Sequence, residues 1–150
     1  MQGYKPVFQS TIGAHFRHVL EHYRCFLKQY SSGELCYDSR ERDQLLERDF
    51  DYANRTIDDL LKSMSQLEAQ DLNKECVVYD QQAIGPITST LFRELLFLQS
   101  HTIHHYAIIG AMTRSFGAKP AEDFGVAIAT REHNKSSSES TIGDSLTCAQ

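Results

Sequence analysis

Three stretches in which apolar residues recur every three or four positions dominate this chain, and that periodicity restricts it to helices packed along their apolar faces. The first stretch runs from about Ser10 to Tyr30, through Ile12, Phe16, Val19, Leu20, Tyr23, Phe26, Leu27 and Tyr30. Arg17, Glu21, Arg24 and Lys28 fall together on the opposite, wet side. Ser32-Gly33 supplies the stop, because glycine takes the left-handed conformation that ends a helix. The second helix is predicted to start at Asp38, with Glu41 three residues on as a capping box. Its stripe is Leu46, Phe50, Ala53, Ile57, Leu60, Leu61, Met64 and Leu67. The charges from Arg40 to Asp51 read as a solvated face with local ion pairs rather than a binding surface. The third helix is predicted from about Ile87 to Phe116, opened by Gly85-Pro86 and closed by Gly117 with Pro120 beyond. Leu91, Leu95, Leu98, Thr102, Ile109, Met112 and Phe116 mark its core side.

The connections say less. Cys76 to Tyr79 has short β propensity, or is a plain extended connector. The semi-apolar segment EDFGVAIAT is expected to pack back on the bundle, and the Ser/Thr-rich text from His133 onward predicts disorder. The fold class is therefore all-α, a bundle in residues 1–132 followed by a tail in 133–150.

Several function classes are disfavoured. The net charge is −5 and no Lys/Arg block stands out, so the basic stripe of a nucleic-acid binder is missing. No run of about 20 apolar residues exists to span a membrane. MQGYKPVFQ lacks the apolar region of a secretory signal. Cys25, Cys36, Cys76 and Cys148 form no Cys-x-x-Cys pair and read as reduced thiols in a cytoplasmic protein. Neither G-x-S-x-G nor a P-loop is present.

Six of the seven histidines lie in two clusters, His15, His18 and His22, then His101, His104 and His105. At about 100° per residue, His101 and His105 fall inside the sector spanned by Leu98, Ile108, Ile109 and Met112, while His104 falls toward the edge. Two imidazoles side by side on a buried face need partners, since an unpaired buried polar group costs about 1–3 kcal/mol. On the first helix His15 and His22 lie nearer the apolar stripe and His18 further round, so spacing alone does not choose among them. Neutral imidazoles suit zinc, nickel, iron or copper better than calcium or magnesium. Three protein ligands on a tetrahedral ion leave one position open, as in catalytic sites.

The segments STIGAHFRHVLEHY, YDSRERD, ELLFLQSHTIHHYAIIGAM and DFGVA, spread over roughly Tyr4 to Thr130, resemble the DinB/YfiT-like metalloenzyme family. The resemblance implies a four-helix-type bundle and a divalent metal, zinc or nickel first and iron next. Its ligands would be His18, at the second His of GAHFRH, with His101 and His105 of HTIHH. Relatives include thiol S-transferases that use low-molecular-weight thiols and the metal-binding domain of some sulfur-transfer enzymes, so a small-molecule substrate or thiol cosubstrate is implied. The metal would activate water for hydrolysis or a thiol for transfer. The alternatives are a non-catalytic metal-stapled module or a metal-free helical interaction module. Asp43 and Glu47 are candidates for groups bonded to the ligands. The family's usual further long helix ahead of this segment has only about ten residues to match it here. The expectation is either a sequence that starts late or a bundle of three long helices with an exposed groove, which would favour homodimers or poor solubility.

Overall fold

The computed structural model describes residues 8–144, with side chains as far as residue 136. Helix α1, Ile12–Gln29, begins where the Thr11 hydroxyl accepts the Ala14 N–H, and it ends through a 3-10 turn, Tyr30–Ser32. Gly33 caps that turn at φ 73°, as its position after Ser32 predicts. Strand β1 (Glu34–Leu35) and a 3-10 turn (Tyr37–Ser39) follow, then α2 (Leu45–Arg48), α3 (Phe50–Met64) and α4 (Ala69–Leu72). Strands β2 (Glu75–Val78) and β3 (Ile87–Thr90) lead into the long helix α5 (Leu91–Ser115), and α6 covers Ile128–Asp144.

The chain is mostly helical, and the all-α expectation needs one correction. A three-stranded sheet in the order β1-β2-β3 covers one end, with β1 parallel to β2 and β2 antiparallel to β3. Cys76 lies in its middle strand, so the CVVY segment is a strand rather than a connector. Gly85-Pro86 precedes a strand instead of a helix. Thr90 is the true cap of α5, its hydroxyl accepting the Arg93 N–H, and β pairing of Ile87–Thr90 with Glu75–Val78 takes the backbone that a helix would have used. The second helix also starts later than Asp38. Asp49 caps it by accepting the Tyr52 N–H, and residues 37–43 instead form a turn folded over α1.

Phe26, Leu35, Cys76, Leu91 and Leu98 make the buried cluster between α1, the sheet and α5. The predicted stripes hold in the main, although Phe50, Leu61 and Phe116 are largely exposed. EDFGVAIAT does pack back. Phe124 stacks on Tyr106 with ring centroids 4.9 Å apart, and Gly125 at φ 75° lies so close to α5 that an added Cβ would stand 2.4 Å from the Ala107 nitrogen. Helix α6 runs across residues for which composition predicts disorder, up to Asp144; it has no apolar stripe, and Arg131 pairs with Asp123 at its start. Residues 145–150 lie outside the described part, and Cys148 with them. Cys25, Cys36 and Cys76 are free thiols. Among the described residues no helix is long and apolar enough to cross a membrane.

The polar face of α1 is the largest departure from the sequence pattern. Glu21, predicted on the wet side, is 3% exposed. The 37–43 turn covers it: the Asp43 N–H donates to Glu21 Oε1 at 2.7 Å, while Arg17 Nε and Arg40 Nε lie 3.6 and 3.9 Å from its oxygens. The charges of residues 40–47 therefore pair across the fold onto α1, not locally. Glu41 bonds Lys28, Asp43 bonds Arg24 and Glu47 bonds Arg17.

Candidate metal centre

Where α1 crosses α5, the histidine-bearing faces of the two helices meet. His18 Nε2 lies 3.1 Å from His101 Nε2, and His105 Nε2 lies 3.1 Å from the same atom. One ring nitrogen from each of these three residues falls within 4.8 Å of the other two. The geometry follows from helical spacing. His101 and His105, four residues apart, project from α5 in nearly one direction, and His18 enters from the facing helix.

Of the residues left open on α1, His18 is the one in the convergent set. His15 stands behind His105, with Nδ1 of the two rings 2.9 Å apart. His22 is 6% exposed and turns its Nδ1–H to the His18 carbonyl at 2.7 Å, while its ring packs 4.4 Å from that of His101. His104 is exposed, as its edge position predicts. An aromatic wall closes one side, in which Tyr37 stacks on His22 and Phe97 on His101. A cavity of about 570 Å³ between the sheet and the start of α5 shares Tyr37 and Phe97 with that wall, but no imidazole lines it.

The electrostatics keep the rings neutral. Burial, then the neighbouring imidazoles, lower the pKa of His18 to about 3, with the Arg40 guanidinium adding to the effect. Burial and adjacent rings likewise lower His101 and His105, each to about 4. Burial also lowers His15 and His22. Neutral imidazole is the form that ligates a metal.

The donor set can be compared with what an ion requires. Two nitrogens bound at about 2.0–2.1 Å to one tetrahedral ion stand about 3.3–3.4 Å apart. Two of the three pairs here are at 3.1 Å, close to that spacing. Without an ion, three ring nitrogens crowd one another, and the buried His101 Nδ1 has no hydrogen-bond partner. Three neutral nitrogen donors on two helices fit a borderline-soft divalent ion.

Asp43 and Glu47 do not reach the imidazoles. Asp43 is held by Arg24 and Tyr52, and Glu47 by Arg17 and Thr11, because the 37–43 turn and α2 lie on the Glu21 side of α1. His15 does bond to an imidazole of the convergent set, that of His105, although the helical wheel marks it only as an alternative ligand. Arg40, read in sequence as part of a solvated run, has a side chain only 16% exposed. No protein family, curated protein or solved structure matches this chain.

Proposed function

We propose that this chain is a divalent-metal protein of DinB-like type, with His18, His101 and His105 as ligands and zinc or nickel, or alternatively iron, as the ion. The observation that carries the reading is the convergence of three Nε2 atoms from two helices, two of the pairs at 3.1 Å. The resemblance of STIGAHFRHVLEHY and HTIHH to the DinB/YfiT-like family supports the same three residues by a separate route. A bound ion of this kind supplies Lewis acidity, polarising a substrate oxygen or thiol or lowering the pKa of water. Three protein donors leave room for a small exogenous ligand. The activity proposed is therefore metal-dependent hydrolysis or thiol transfer on a small molecule. The chain's own part is to hold neutral donors and to cover one side of them with the Phe97 ring, which stacks on His101. Free thiols at Cys25, Cys36 and Cys76 suit a cytoplasmic, reducing setting.

A second reading has its own support. The ligands come from α1 and α5, so the ion would tie these two helices together as a structural staple without catalysis. Metal analysis of the purified protein tests the common premise. Stoichiometric zinc or nickel, lost in His105→Ala, is the expected result; stoichiometric metal retained in that variant rejects the ligand set. Ester and thiol-transfer assays on the loaded protein then separate catalyst from staple, since a staple gives no turnover.

A further inference from the structure

We propose that His15 is the positioning residue of this centre: its contact with His105 holds that ring in the tautomer that leaves Nε2 free for an ion. The inference rests on the metal reading above and adds a residue to it.

A neutral imidazole has one N–H and one lone pair. The 2.9 Å separation between His15 Nδ1 and His105 Nδ1 needs one proton between them. With the proton on His105, its Nδ1–H donates to His15, and the His105 lone pair sits on Nε2, the atom facing His101 Nε2 at 3.1 Å. His15 then carries its own proton on Nε2. With the proton on His15 Nδ1, the neutral His105 would carry its hydrogen on Nε2, aimed into the cluster, and could not ligate. The tautomer of His15 thus decides whether His105 is a competent donor.

Other features make the residue suited to that task. His15 sits in the first turn of α1, where its own N–H donates to the Thr11 carbonyl at 3.2 Å. Gly13 beside it lets the Glu47 backbone approach, since a Cβ there would meet the Glu47 carbonyl oxygen at 2.6 Å. The base of the helix is therefore held on two sides. The helix that contributes His18 also orients a ligand from α5. By contrast His101 Nδ1 has no partner at all, so His15 provides a fixed outer bond that His101 lacks. Outer partners of metal-binding histidines are more often carboxylates or carbonyls. A neutral imidazole adds no negative charge, which leaves more of the ion's positive charge available to polarise a substrate.

The experiment compares wild type, His15→Ala, His15→Gln and His15→Asn for zinc affinity, by competition with a chromogenic chelator, and for melting without metal. Asparagine places its side-chain oxygen near the position of Nδ1, so it keeps the acceptor; glutamine keeps bulk but moves the acceptor away. The expected result is a 10–100-fold weaker zinc affinity in the Ala and Gln variants, with metal-free melting unchanged in at least one of them, and most of the affinity kept in Asn. Wild-type affinity in a folded Ala or Gln variant overturns the role of His15 while leaving the centre standing. An Asn variant as weak as Ala also overturns it. A wild-type protein that binds none of zinc, nickel and iron rejects the metal centre itself, and the role of His15 falls with it.

Discussion

His18 and His101 lie 83 positions apart in the chain, and their Nε2 atoms are 3.1 Å apart in the fold. That pair joins the two helices that carry the proposed centre. Any ion held there adds a cross-link between α1 and α5.

Metal should therefore stabilise the protein measurably. At a free zinc concentration 1,000 times the dissociation constant, mass action contributes about 4 kcal/mol. Thermal melting with zinc and with a chelator should differ by several degrees in wild type and by nothing in His101→Ala. Equal melting with and without zinc in wild type would contradict binding to the folded state.

Acid should weaken the metal-free fold well before the carboxylates titrate. Unfolded histidine takes up its proton near 6.5, whereas His18 in the fold does so at about 3 and His101 and His105 at about 4. Between those values the unfolded chain binds more protons than the folded one, so stability falls as pH falls. It is fully present above about pH 6.5 and declines until about pH 4 to 3. His15 and His22, also lowered, act in the same direction. Glu21, whose burial raises its pKa, opposes them, but it is one group against five. Urea unfolding at a series of pH values checks this; stability unchanged between pH 7 and 5 would refute it.

Removing the Glu21 side chain should be costly. It is 3% exposed and faces both Arg17 and Arg40, and the Arg40 Nε has no hydrogen bond of its own. Arg17 keeps Glu47 as a partner at 2.7 Å, but Glu21→Ala leaves the Arg40 guanidinium without its carboxylate and the Asp43 N–H without its acceptor, a loss of about 3 kcal/mol. Glu21→Gln should lose clearly less, because its amide oxygen still accepts the Asp43 N–H. Equilibrium unfolding of the two variants gives the comparison, and equal losses would show that the Asp43 bond contributes little.

Gly125→Ala should destabilise by about 2 kcal/mol or more. The backbone there is at φ 75°, and the new methyl would stand 2.4 Å from the Ala107 nitrogen and 2.6 Å from the Tyr106 carbonyl carbon. The Phe124–Tyr106 stack would separate, which the near-ultraviolet circular dichroism of tyrosine reports. A change under 0.5 kcal/mol, on the order of an ordinary surface substitution, would show that this turn is not held against α5.

Periodicity was enough to read α1 and α5 to within a few residues, because burying one face of a helix writes a three-and-four spacing into the chain. The same spacing turned His101 and His105 inward together and left His104 outside. Other features had no such local signature. The buried Glu21 looked like part of a wet face, since its cover, the turn around Asp43, comes from another part of the chain. The β2–β3 pairing overrode the helix predicted from Ile87, because ladder bonds form between strands and short strands carry little pattern of their own.

The residues themselves determined that two helices would each present imidazoles near a buried seam; which imidazoles meet was decided only when the helices packed. His15, His18 and His22 occupy neighbouring positions on one flank of α1, and a helical wheel gives their directions but not the place where α5 crosses. The crossing sets His18 against His101 and puts His15 behind His105. Local geometry fixes the angle at which a side chain leaves its helix, and only tertiary packing fixes what it reaches.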